Sequence, residues 1–113
     1  MAETTVEERD GIIILNIVSF ITIQNIHILE TLWNKQLDKG PNILAINFSG
    51  INRIDSIGLS HLVKLSRNSI IKEVDLIFYD IDTSILDLLK VARLDQFFNI
   101  LSKNEFEEKY LHK

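Results

Sequence analysis

The run Ile43-Leu44-Ala45-Ile46-Asn47-Phe48 narrows the possible folds more than any other stretch of this chain. It is nearly continuous in apolar residues and lacks the period-two alternation of a half-solvated strand, so it reads as a strand covered on both faces. Such strands belong to parallel or mixed sheets with helices packed over them. The flanking segments have the spacing such helices need. Over residues 24–38, Ile26, Leu29, Trp33 and Leu37 recur at three- and four-residue steps with Leu32 beside them, and Gly40-Pro41 stops the helix. Over residues 56–69, Leu59, Leu62 and Val63 fall on one inner stripe.

The remaining segments continue the alternation. Residues 6–9 and 12–18 read as antiparallel strands joined at Asp10-Gly11, because a type I′ turn needs a positive φ that glycine supplies without steric cost. Residues 74–79 form another buried strand. Asp82 or Thr83 caps a third helix with the stripe Ile85, Leu88, Leu89 and Ala92. Residues 97–101 are a candidate last strand, and 104–111 a terminal helix with Phe106 and Tyr110 facing in. The pattern predicts an α/β domain: one mixed, mostly parallel sheet of four to five strands, right-handed crossovers and about four covering helices. With 113 residues and neither internal repeat nor long linker, residues 1–113 are expected to form a single domain.

Composition removes several function classes. At 46% hydrophobic and 25% charged the chain reads as an ordinary soluble globular protein. The absence of cysteine excludes disulfides and thiolate metal sites and fits a reducing cytoplasm. A net charge of −4 argues against nucleic-acid binding, although Arg53, Lys64, Arg67 and Lys72 make the middle of the chain locally basic, spaced like a solvated helix face. The apolar run over residues 11–23 is too short to span a bilayer as a helix, and its β-branched residues favour strand. Glu3, Glu7 and Glu8 precede it, the wrong sign for a secretory leader, so neither signal peptide nor anchor is expected.

The chemistry concentrates at Ile54-Asp55-Ser56-Ile57-Gly58-Leu59. A serine at a helix start lies among free backbone N–H groups and the positive end of the macrodipole, which can hold an added phosphate. That points to a phosphorylation switch on Ser56 more than to an enzyme. Asp55-Ser56 also reads simply as a helix cap. Gly58 weakens the first turn by up to about 1 kcal/mol relative to alanine, which suggests that backbone or a partner comes close there. A nucleophilic role finds little support: His61 is five positions on and points away at about 100° per residue, and no G-x-S-x-G elbow exists. His27 and His112 are not excluded by spacing, but nothing argues for either. His27 and Glu30, three apart, read as an exposed polar face rather than a metal pair. Asp75, Asp80 and Asp82 bracket a strand without the paired acids and the lysine that a receiver-type phosphoacceptor wants. No G-x-x-x-x-G-K loop is present to cradle a phosphate, and Trp33 reads as core.

From residue 43 through Ser49-Gly50-Ile51-Asn52-Arg53-Ile54-Asp55-Ser56-Ile57-Gly58-Leu59, the chain resembles the STAS family, specifically the anti-sigma factor antagonists of bacterial partner-switching systems. The D-S-x-G pattern at a helix start, after a strand ending in Ser-Gly, carries the likeness. A weaker match follows at Leu88-Leu89-Lys90-Val91-Ala92-Arg93-Leu94-Asp95-Gln96-Phe97-Phe98. There are departures: Ser19-Phe20-Ile21-Thr22 where members often carry glycine, Asn47 in place of a common aspartate, Arg93 in place of the usual glycine, and Ile57 for a small residue.

The resemblance implies a STAS-like single domain that is a substrate and competitor, not a catalyst. Unphosphorylated, it binds an anti-sigma factor that is also a serine kinase and so frees the sigma factor. Phosphorylation of Ser56 releases it, and a serine phosphatase resets the cycle. The contact surface is then expected at Asp55, Ser56, Ile57, Gly58, Leu59, Ser60 and Val63, with Asn52 and Arg53 in the preceding loop; Leu59 and Val63 are alternatively core. A STAS scaffold or ligand-sensing module that is never phosphorylated is the rival reading. Either way the expectation is a cytoplasmic monomer or weak dimer without cofactor or metal, with no direct contact to nucleic acid or membrane.

Overall fold

A computed structural model describes residues 4–111. Strand β1 (Thr5–Arg9) pairs antiparallel with β2 (Ile12–Ile21). The two residues between them, Asp10 at φ 51 and Gly11 at φ 80, both take the positive φ that a type I′ turn demands. β3 (Ile43–Ile54), β4 (Asp75–Tyr79) and β5 (Ile100–Leu101) then add in parallel, giving one sheet of order β1-β2-β3-β4-β5.

This order decides where the helices lie. Each crossover steps one strand in the same direction, so right-handed connections put α1 (Ile26–Asp38), α2 (Ser56–Ile71) and α3 (Thr83–Val91) on one face. Leu15, Leu44, Ile46, Phe48 and Phe78 point to that face and pack with Leu29, Trp33, Leu37, Leu62, Leu65 and Leu89. The alternate residues Ile12, Ile14, Ala45, Ile77 and Tyr79 point the other way. There α4 (Lys103–Phe106) and the wider turn of helix that continues it (Glu107–Leu111) cover them, with Phe106 stacked on Tyr79 at 4.1 Å. Over residues 43–48 both faces of β3 are therefore dry, which is why that stretch carries no alternation. Their one polar member, Asn47, is satisfied across strands: its amide donates to Asn16 Oδ1 at 2.8 Å.

Three expectations need correction. β3 does not end near Phe48 but runs to Ile54, because β2 also continues and gives it a partner, with register breaks between Asn16 and Val18 and between Ser19 and Phe20. Asn52 and Arg53 are thus strand residues, not loop residues. β5 shrinks to Ile100–Leu101 because the chain before it curls, the N–H groups of Phe97 and Phe98 both donating to Leu94 O. Ala92 is exposed at the end of α3 and takes no part in its buried stripe.

Arg93 follows α3 in the left-handed region at φ 60, and the N–H of Leu94 closes back on Leu89 O at 2.8 Å. That is the position where helices end on glycine, and a side chain there is strained. Arg93→Gly is expected to stabilise the fold by roughly 0.5–1 kcal/mol. A urea midpoint that rises at unchanged slope is the readout; a fall would contradict the strain.

Candidate functional site

α2 begins directly where β3 ends, and Asp55 makes the junction. With extended backbone (φ −100, ψ 177), it directs one carboxylate oxygen onto the Gly58 N–H at 2.7 Å, capping the helix. Its other oxygen accepts from the Ile23 N–H at 3.0 Å, and its own N–H donates to Ile21 O. One side chain therefore fixes both the helix start and the β2–α1 turn. The Ile23 N–H, then the Gly58 N–H, with the charge of Arg53 adding, hold the Asp55 carboxyl below the usual carboxylate range. The turn is stiffened from its other side, where Asn25 Oδ1 accepts from the Thr22 N–H and the Asn25 amide donates to Phe20 O at 2.7 Å.

Gly58 is buried, and the reason is backbone: a Cβ built there would lie 2.0 Å from Ile21 O. The close approach inferred from sequence comes from the end of β2. Gly58 therefore sets the height of the helix start and offers no side of its own to a partner.

Ser56 is the first residue of α2 and is exposed. Its hydroxyl has no hydrogen-bond partner among the described residues. Around it stand exposed Asn52 and Arg53 at the end of β3, half-buried Asp55, and exposed Ile57 and Ser60 on α2. The Arg53 guanidinium lies 5.9 Å from the Phe20 ring centre, and the Ser60 hydroxyl donates to Ile57 O. Leu59 and Val63 are half-buried and packed against the core, so they are neither wholly core nor freely presented. Ile23 completes the surface and has no counterpart in the sequence reading. It is 62% exposed and tied to Asp55, beside Ile57 at 40%. Its place beside α2 rests on the bond to Asp55, 32 positions away, which leaves no local signal.

α1 and α2 are clasped on the flank of this surface. Glu30 Oε2 receives His61 Nδ1 at 2.7 Å and Lys64 Nζ at 3.4 Å. The histidine nearest to Ser56 in sequence is thus engaged with Glu30, and Glu30 pairs with His61 rather than His27. The hydrogen bond from His61, followed by the charges of His61 and Lys64, lowers the Glu30 pKa against the opposing effect of burial. A carboxylate whose folded pKa is depressed contributes stability above its unfolded pKa and loses it as pH falls through the folded value. Going from about pH 6 to about pH 3, Glu30→Gln should lose less stability than the parent chain, seen as a smaller drop in urea midpoint. Equal drops would show that the clasp adds nothing.

The acids around β4 do not converge. Asp75 opens the strand, whereas Asp80 and Asp82 follow its other end, and Asp82 caps α3 by accepting from the Ile85 N–H at 2.9 Å. Among the described residues no group of three or more His, Asp or Glu side chains is placed to hold a metal ion. No helix among them is long and apolar enough to cross a membrane.

Comparison with known proteins bears on the family and the fold. A family model for the STAS domain matches residues 3–107. Among solved structures, an anti-sigma factor antagonist from Mycobacterium paratuberculosis superposes with a TM-score of 0.77 at 21% identity, over 87% of this chain and 83% of the other. A Thermotoga maritima protein described as a candidate anti-sigma factor antagonist gives 0.84 at 20% identity, over 96% and 95%. The anti-sigma factor antagonist SpoIIAA in its unphosphorylated form gives 0.71 at 12% identity, over 95% and 94%. Identities this low establish a shared fold. No curated protein matches the sequence.

Proposed function

Because the chain belongs to the STAS domain family, we propose that it is an anti-sigma factor antagonist whose binding is switched by phosphorylation of Ser56. In this reading the unmodified chain docks on an anti-sigma factor with serine kinase activity, and Asn52, Arg53, Asp55, Ser56, Ile57, Leu59, Ser60 and Val63, with Ile23, rim the contact. Gly58 supports that surface from beneath. The kinase uses its own ATP to modify Ser56, and a serine phosphatase restores the hydroxyl. The protein contributes no catalytic group and is itself the substrate.

The observation that carries the reading is the Ser56 hydroxyl, exposed and unpartnered among the described residues at the first position of a helix capped by its neighbour. A kinase must reach that oxygen without unfolding the chain, and a helix start tolerates the charge that is added. The fold shared with structures described as anti-sigma factor antagonists, one of them in its unphosphorylated form, supports the same role. Incubation with an anti-sigma kinase of the source cell and ATP, followed by intact mass, is the test. One phosphate on the parent chain and none on Ser56→Ala is expected. No phosphate, or phosphate that persists in Ser56→Ala, refutes the switch and leaves a STAS scaffold or ligand-sensing module.

A further inference from the structure

We propose that the outward face of α2 is a basic docking strip, matched to a partner protein whose contact surface is rich in carboxylates. The inference rests on the reading above and names the chemistry of the partner at that same site.

The chain carries 16 acidic residues and a net charge of −4, yet not one acid lies in Ser56–Ile71. The charges there are Lys64 and Arg67, preceded by Arg53. At about 100° per residue, Arg67 lies within about 20° of Ser56 around the helix, Ser60 within about 40° and Lys64 within about 80°. A rise of about 1.5 Å per residue puts Lys64 and Arg67 about 12 and 16 Å along the axis from Ser56. Arg53, Ser56, Ser60, Lys64 and Arg67 are all exposed.

Two acids beside this strip, Asp55 and Glu30, are already engaged. Both Asp55 oxygens accept backbone N–H groups, and Glu30 is shared by His61 and Lys64. Arg67 has no ion pair among the described residues. Lys72, the other cation of this segment, is taken by Asp38 and does not belong to the strip. The remaining described acids lie outside the helix: on the β1–β2 hairpin, on or beside β4 from Glu73 to Asp80, on and around α3, and on the terminal helix.

A polyanion such as nucleic acid is the poorer occupant. Its binding scales with the number of phosphates neutralised, and the strip offers only three cations, of which Lys64 is shared with Glu30 and Arg53 interacts with Asp55 and Phe20, on a chain that is negative overall. Exposed Ile57 and Ile23 at one end suit instead a protein surface mixing carboxylates with apolar side chains. The switch then acts twice. About 1.5–2 negative charges on Ser56 occupy the contact and also take up Arg53, three residues away, in place of a partner carboxylate.

The test uses the full chain and the purified anti-sigma kinase, titrated at about 50 and about 300 mM salt, where screening differs strongly. Affinity should fall about tenfold or more with salt, and Arg67→Glu should lower it about tenfold at low salt, mostly through a slower association rate. Arg67→Gln should fall between, and Lys103→Glu, on the opposite face of the sheet, should bind like the parent. Tight binding that ignores both salt and Arg67→Glu overturns the strip while leaving the antagonist reading intact. No binding at any salt brings down the antagonist reading, and the strip with it. Binding of a duplex oligonucleotide as tightly as the kinase, lost in Arg67→Glu, overturns the assigned class of partner.

Discussion

Gly58→Ala is expected to destabilise the protein by about 2–4 kcal/mol, although alanine for glycine inside an ordinary helix gains roughly 0.5–1 kcal/mol. The sign reverses because of contact. The added methyl would stand 2.0 Å from Ile21 O, 2.8 Å from its carbonyl carbon and 3.1 Å from its Cγ2. Two of these atoms are backbone, Ile21 is fully buried, and its carbonyl also receives the Asp55 N–H. Relief requires lifting the first turn of α2 or pushing away the end of β2, and either motion loosens the Asp55 bonds to Ile23 and Gly58. Because that motion re-aims Ser56, the rate of phosphorylation should drop with stability. Urea denaturation decides the sign: a midpoint at or above the parent value would show that helix propensity outweighs the close approach.

The same junction shows what a sequence of this kind encodes locally and what it does not. The dry strand at 43–48, the helical stripe of Ile26, Leu29, Trp33 and Leu37, and the start of α2 at Ser56 were legible because each leaves its periodicity or cap within a few neighbouring residues. The ribbon formed by the far ends of β2 and β3 was not. Ser49-Gly50 reads as a strand end, and only pairing with distant residues keeps the backbone extended to Ile54. The Asp55–Ile23 bond spans 32 positions and leaves no local trace. Ile23 was hidden for the same reason, since only that distant bond fixes it beside α2. Gly58 lay between these cases: its helix cost announced a close approach, but not which atoms made it.

Phosphorylation of Ser56 is expected to reduce affinity for the anti-sigma kinase at least about 100-fold while leaving the fold nearly as stable as before. Two locations of the same charge account for the difference. In the free chain the phosphate stands in water at the helix start, near Arg53 and the positive end of the α2 dipole, so folding bears little cost. In the proposed complex it would have to be desolvated against a surface fitted to a hydroxyl, at a cost on the order of several kcal/mol, and about 1.4 kcal/mol is already tenfold. Asp55 adds like-charge repulsion within the contact, since both its oxygens are fixed and it cannot swing aside. Thermal melting of the phosphorylated chain within about 3 °C of the parent would agree with a penalty confined to the complex.

The most direct measurement is a pair of calorimetric titrations of one anti-sigma kinase preparation, with the unmodified chain and with the chain stoichiometrically phosphorylated on Ser56. Saturable binding of the first and a loss of at least about 100-fold for the second is the predicted result. Equal affinities would contradict it, and would mean that the exposed hydroxyl at the head of α2 is not where this protein is switched.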